Sequence, residues 1–337
     1  MAAVFRPIPQ TDPARPADAL TVAAGWSWFT HVEALERGRQ PEILPATEVP
    51  ADILETLTRD RPDIAGMSFD RPRIMGILNI TPDSFSDGGQ NFPPEAAIHT
   101  AQTMAAADIL DIGGESTRPG AVTIPEQEET DRTLPVIHGL REAGISQPIS
   151  IDTRKAAVAA AALGAGADLV NDVSGFTFDR ALAPLCAERE APVCVMHAQG
   201  DPATMQQSPQ YEDVVLDVFD FLQRQIAHLS AAGIPRHRII ADPGIGFGKS
   251  EDHNLALLAR LSVFHGLGVP LLLGASRKRF IGRIGQASEP SDRMPGSIAV
   301  ALAALKHGTQ IVRVHDVPQT AQAIALWRAT VAGHAHG

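Results

Sequence analysis

The chain has 337 residues, with 28 Lys+Arg against 39 Asp+Glu for a formal charge of −11, and is 44% hydrophobic and 20% charged. This is the balance of a globular protein with a sizeable core, and the acid excess argues against a nucleic-acid or membrane-surface partner, since either needs a basic face. Two cysteines, Cys186 and Cys194, read as buried fillers and exclude a disulfide scaffold or a Cys-based metal cluster, while the longest stretch free of formal charge, 261–276, is too short and too broken by His265, glycines and Pro270 to span a membrane.

In chain order, residues 1–18 read as a disordered tail. They lack the basic-then-apolar pattern of a secretory signal, which points to the cytoplasm. Residues 19–72 hold a short apolar stretch with Trp26 and Trp28, then PEILPATEVP and a short helix at 51–60, and predict an appendage packed on the main domain. From Arg73 the pattern changes. Strand-like apolar runs occur at 73–79, 108–112, 148–152, 168–172, 192–196, 238–242, 269–273 and 310–315. Helical patterns lie between and after them, at about 93–107, 125–143, 154–165, 179–190, 212–232, 252–266, 292–307 and 317–333. The runs are continuously apolar, as parallel strands covered on both faces are. Strand then helix eight times over predicts an α/β fold, a (β/α)8 TIM barrel across 73–337, with a doubly wound open sheet as the alternative.

Polar residues follow the strands. Asn79 ends the first, GGESTRPGA follows the second, and Asp152, Asn171-Asp172, Met196-His197 and Asp242 end the next four; GASRKR follows the seventh, and the eighth carries Arg313 and His315. They gather at the C-terminal mouth, where barrel enzymes keep their active sites. Asp152-Thr153 and Ser250 also fit helix N-caps, and any single strand-end Asp has even odds of being structural. Taken together, Asp152, Asn171 and Asp242 suit a flat heterocycle with a guanidine-like donor edge. Arg118, Arg277, Lys278, Arg313 and His315 offer an anion site, although a solvated surface charge competes strongly for Arg277 and Arg279. GIGFGKS lacks the spacing of a nucleotide-phosphate loop, and Lys249 within it reads as a surface cation. TPDSFSDGGQNF and ESTRPGAVTIP read as lid loops over the mouth. No zinc spacing and no nucleophile elbow occurs.

The strings MGILNITPDSFSDGG, DIGGESTRPGA, ISIDT, NDVSG, MHAQGDPATMQ, DPGIGFGK, GASRKRFIG and RVHDV, in that order over roughly 73–333, closely resemble the dihydropteroate synthase family. The resemblance implies a transferase of folate biosynthesis. It would make 7,8-dihydropteroate from 6-hydroxymethyl-7,8-dihydropterin diphosphate and p-aminobenzoate by an SN1-like substitution that releases diphosphate. It implies that Asp152, Asn171, Asp242 and Lys278 hold the pterin. Arg313 would stack on the ring and, with Asn79 and His315, bind the diphosphate, while Asn79 also contacts Mg²⁺. Asp152, Asp242, Lys278, Arg313 and His315 would carry the chemistry. Phe85, Thr117, Arg118 and Pro119, with Lys278, would form the p-aminobenzoate pocket at which sulfonamides compete. Arg279 stands where many members have Ser, and joins that pocket through its backbone N–H or an inward-turned guanidinium. The family usually forms a homodimer. The alternatives are a methyltetrahydrofolate:corrinoid methyltransferase, which would not need STRPG, SRK and RVH together, and a non-catalytic pterin-binding protein.

Overall fold

The computed structural model describes residues 3–80, 94–117, 120–200 and 209–334. The N-terminal part is a small β-structure in which β1 (Val4–Pro7), β4 (His31–Leu35) and β5 (Glu42–Pro45) form an antiparallel sheet with β4 central. β2 (Leu20–Thr21) and β3 (Trp28–Phe29) pair beside it, and α1 (Ala51–Thr58) follows. Val22, Phe29, Val32, Val49 and Leu57 give this unit its own small core. The expectation of a disordered tail over residues 1–18 is corrected at Val4–Pro7. This strand pairs with β4 from Leu35 to Val32, and Pro7 O accepts a 2.8 Å bond from the buried Ser262 hydroxyl. The sequence suggested disorder through its prolines, yet Pro7 sits on an edge strand, where a missing N–H is tolerated.

The appendage does pack on the main domain. Trp26 Nε1 donates to Leu305 O at 2.7 Å, and the buried Arg61 donates to His265 O at 3.1 Å. Glu33 takes bonds from Arg6 and Arg260; burial alone would raise its pKa, but these two guanidinium groups hold it below the ordinary carboxylate value.

Eight parallel strands form the barrel: β6 (Arg73–Asn79), β7 (Ile109–Gly113), β8 (Ile149–Asp152), β9 (Leu169–Asp172), β10 (Val193–Met196), β11 (Ile239–Asp242), β12 (Leu272–Leu273) and β13 (Ile311–Val314). The ladder runs from β11 through β6 to β13 and β12. A parallel bridge between Ala241 and Leu271, with Ala241 N–H donating to Pro270 O at 2.9 Å, closes the ring and excludes the open sheet. The predicted strand at 269–273 is cut to Leu272–Leu273, in keeping with a Pro270 that has no N–H for the ladder. The outer helices are α2 (Pro94–Thr103), α3 (Glu126–Glu142), α4 (Ala156–Gly164), α5 (Leu182–Glu188), α6 (Val214–Ala231), α7 (Glu251–Ala259), α9 (Met294–Lys306) and α10 (Val317–Ala332). The sequence pattern did not separate α8 (Arg279–Ile284), a short extra helix, from the loop after β12. α6 shows why such segments are helical: Asp213 caps the N–H groups of Val215 and Leu216, and Val215, Phe219, Leu222, Ile226 and Leu229 recur on one buried face.

The site follows from the two-residue period of a strand. Met75, Ile109, Leu169, Cys194, Ile240, Leu272 and Ile311, one from each of seven strands, form a single apolar cluster with Ile64, Met67 and Phe69. Ile64 and Met67 exchange backbone bonds in a tight turn that, with Phe69, stoppers the N-terminal end of the barrel. Two residues further along those strands, on the same inner face, stand Ile77, Asp111, Asn171, Met196, Asp242, Gly274 and Arg313, and on β8 Ser150 is followed by Asp152. The barrel interior therefore changes from apolar to charged in one step toward its mouth.

Candidate active site

The floor of the mouth is built on Arg313. Its Nε donates to Asp111 at 2.5 Å and its Nη2 to Asp152 at 2.8 Å, joining β13 to β7 and β8. Asn171 Nδ2 donates to the same Asp111 carboxylate, 3.2 Å from Oδ2. Asp111, Asp152, Asn171 and Asp242 are all buried. Asp152 Oδ1 has no hydrogen-bond partner. Burial raises the Asp152 carboxyl to about 8; Arg313 pulls it down, but the neighbouring Asp111 pushes it up again. Burial also lifts Asp242 to about 6, against the Gly244 N–H, which donates to it at 2.7 Å, and the charge of Lys278.

Small residues keep the space above this floor open. A Cβ on Gly274 would lie 3.5 Å from Asp242 and 3.9 Å from Arg313. One on Gly113 would lie 3.5 Å from Asn79 Oδ1 and 3.8 Å from Asp152 Oδ2. Asn79, Asp152, Asp242 and Arg313 thus border one cup, and the predicted set Asp152, Asn171, Asp242 and Arg313 meets as expected. Lys278 reaches the same rim, its Nζ 4.0 Å from the centre of the Phe247 ring. His315, two residues after Arg313, is held by Ser276, whose hydroxyl lies 3.0 Å from His315 Nδ1 and accepts the His315 N–H at 3.2 Å.

Other expectations resolve differently. Arg277 is committed to a two-pronged pair with Asp316, Nη2 to Oδ1 at 2.5 Å and Nε to Oδ2 at 3.1 Å, and its backbone is left-handed at φ 57°. It is a fixed corner of the loop, not part of the anion set. Arg279 opens α8 with an exposed side chain. Thr117 is half-buried, whereas Phe85, Arg118 and Pro119 lie outside the described residues, as does 81–93, which includes all of the first proposed lid. Asp172 turns out structural: it accepts bonds from Ser174 N, Ser174 Oγ and Phe176 N and shapes its own turn. Ser250 caps α7 as expected, while Asp152 caps no helix and instead accepts from Arg313.

Lys249 is corrected from a surface cation to a buried one. Its Nζ lies 2.8 Å from His197 Nδ1 and donates to Gly244 O at 2.8 Å and Phe247 O at 3.0 Å, which staples the loops after β10 and β11 together. Burial pushes its pKa well down, and pushes His197 down as well. The staple needs Gly244, because a Cβ there would lie 1.9 Å from His197 O. Three further features escaped sequence reasoning. Asp111 sits two residues before the end of its strand, where only the inward period of β7 marks it. Phe247 carries no charge to draw attention. Glu115 anchors the base of the second loop by accepting from Arg154 at 3.0 Å and Lys155 at 3.2 Å, with Lys155 also bound to Glu129 at 2.6 Å.

Asn79 gives the cup an amide oxygen close to a carboxylate. With substrate phosphates and water, such oxygens suit a hard divalent cation like Mg²⁺. Among the described residues no three His, Cys, Asp or Glu side chains converge as a metal cluster, and no helix is long and apolar enough to cross a membrane.

Comparison with known proteins agrees with this geometry. The sequence profile of the family described as pterin binding enzyme matches residues 75–315. Dihydropteroate synthase of Synechocystis sp. is 47% identical over 264 residues, 77% of this chain and 91% of that protein. The structure of Xanthomonas albilineans dihydropteroate synthase with 4-aminobenzoic acid superposes with a TM-score of 0.75 at 45% identity, covering 80% of this chain and 97% of that one. The same enzyme in complex with 7,8-dihydropteroate gives 0.72 at 42% identity, covering 80% and 98%.

Proposed function

This chain belongs to the pterin-binding enzyme family, and we propose that it is the member that joins 6-hydroxymethyl-7,8-dihydropterin diphosphate to p-aminobenzoate, forming 7,8-dihydropteroate and diphosphate. The observation that carries this reading is the floor of the cup, where buried Asp111, Asp152 and Asp242, with Asn171, gather around one guanidinium at the open mouth, directly above an apolar layer of the barrel. Such carboxylates are costly to bury unless a ligand pairs with them. A dihydropterin does so with its guanidine-like N–H edge, which Asp242 accepts side by side. On this reading the diphosphate lies at the rim beside Arg313, His315 and Lys278; the p-aminobenzoate pocket expected of Phe85, Thr117, Arg118, Pro119, Lys278 and Arg279 is part of the proposal.

The demanding step is cleavage of the C–O bond, whose electron pair leaves with the diphosphate. Arg313, His315 and Lys278 stabilise that negative charge. Asp152 and Asp242 stabilise the positive charge that the methylene carbon shares with the electron-rich ring. Burial favours the protonated form of the Asp152 carboxyl, and a cation above it would favour the ionised one. The neutral arylamine nitrogen supplies the pair for the new C–N bond and then gives one proton to the departing diphosphate, so no strong protein base is required. Mg²⁺ held through Asn79 would neutralise part of the diphosphate charge.

The test is to mix purified protein, pterin diphosphate, p-aminobenzoate and Mg²⁺ and assay dihydropteroate with free diphosphate in equal amounts. Absence of product with a folded protein would overturn the reading. A sulfonamide should raise the melting temperature only when diphosphate is present, as linkage requires of an ordered site. The reading also carries a homodimer in the cytoplasm, to be checked by light scattering and cell fractionation.

A further inference from the structure

We propose that Asp111 is a positioning residue that fixes which way round the Asn171 amide is presented to the pterin, and so sets the selectivity of the site for an N–H donor. The inference rests on the pterin reading above and goes a step beyond it. An amide has two nearly isosteric ends, one donating and one accepting, and its shape alone does not decide which end meets the ligand. Here the decision is made by chemistry. The Asp111 carboxylate offers only acceptor oxygens to the pair it faces, and Asn171 Nδ2 lies 3.2 and 3.4 Å from them. A flipped amide would set oxygen against oxygen in a buried site, so the carbonyl oxygen remains as the group Asn171 can give a ligand. The same carboxylate is held in place by Arg313 Nε at 2.5 Å. Asp111 is fully buried, so water does not substitute for either contact.

The argument predicts a specific inversion. In Asp111→Asn the new amide keeps its oxygen at the Oδ2 position, which Arg313 Nε and Asn171 Nδ2 share, and sets an NH₂ group at the Oδ1 position, 3.4 Å from Asn171 Nδ2, where two donors now face each other. Rotation of Asn171 relieves that donor–donor contact by turning its oxygen toward residue 111, which shows its NH₂ group to the pocket. Exchanging the two groups, Asp111→Asn with Asn171→Asp, restores the original sense: the amide at 111 donates to the carboxylate at 171, whose second oxygen faces the ligand, and the total charge is unchanged.

Calorimetry with the free pterin alcohol reads this directly. Asp111→Asn should weaken binding at least about tenfold, the loss expected when a buried acceptor is replaced by a donor. The exchanged pair should recover most of that loss. Melting curves establish that each variant is folded. If the exchanged pair fails to fold, the cycle of Asp111→Asn with Asn171→Ala decides: Asp111→Asn should lose far less in the Asn171→Ala background than alone. Wild-type affinity in Asp111→Asn, an exchanged pair as weak as the single variant, or additive losses in the cycle would each overturn the proposal. Failure of the wild-type protein to bind the pterin alcohol would instead remove the pterin reading itself.

Discussion

Asp152→Asn should make the folded protein more stable while disabling it, and the gain should depend on pH in a definite sense. Asp152 is buried, one of its oxygens has no partner, and its carboxyl is pushed up to about 8 in the folded chain. Above the ordinary value of 3.8 the unfolded chain has lost this proton, while the folded chain keeps it up to about 8. Folding then binds a proton, so stability falls as pH rises through that window. Asparagine keeps the size of the neutral acid and an acceptor for Arg313 Nη2, without titrating. The stability difference between Asn and wild type should therefore widen by roughly 4 kcal/mol from pH 4 to pH 7, and level off above pH 8. Urea unfolding followed by tryptophan fluorescence at intervals of one pH unit measures it. A difference that stayed flat, or widened toward acid, would refute the assignment of a buried, proton-holding Asp152. The same variant should lose turnover, since an amide cannot supply the negative charge that the methylene cation needs.

Arg313→Ala should weaken binding of pterin diphosphate about thirtyfold more than binding of the free alcohol, because only the former carries the charge the guanidinium pairs with; equal losses in calorimetry would remove its anion role. Asp242→Asn should weaken the alcohol itself by about a hundredfold, as an amide replaces one of two acceptor oxygens with a donor, and unchanged affinity would contradict the pterin-edge contact. Gly244→Ala should cost ~3 kcal/mol or more in thermal melting, since the methyl group meets His197 O at 1.9 Å and φ is 68°; a variant that melts with wild type would disprove the described turn. A chelator should abolish turnover and leave affinity for the alcohol unchanged, and a parallel loss of both would place the metal elsewhere.

The barrel was legible because its period is written twice, once in the apolar runs and once in the helical spacing between them. The strand-end residues Asp152, Asn171, Asp242 and Arg313 are legible as a set, because polar side chains ending several apolar runs at one mouth have few structural uses together. Asp172 shows the limit of that rule: it is adjacent to Asn171 in the same strand and points to its own turn. Asp111 shows the opposite limit. It is followed by Ile112 and two glycines, so it does not end its apolar run as the other acids do, although its place two residues after inward Ile109 marks the inner face. Lys249 was misread because its carbonyl and imidazole partners belong to backbone turns that only the folded loops bring together. The N-terminal strand was misread because its partner, His31–Leu35, lies more than twenty residues away, beyond the range of local composition.

The plug of Ile64, Met67 and Phe69 has a kinetic corollary. Among the described residues the tube is corked at one end, so the acids at its waist face bulk solvent through the other. A substrate seated in that opening lies between them and the bulk, so proton exchange at the floor should slow for as long as it stays bound.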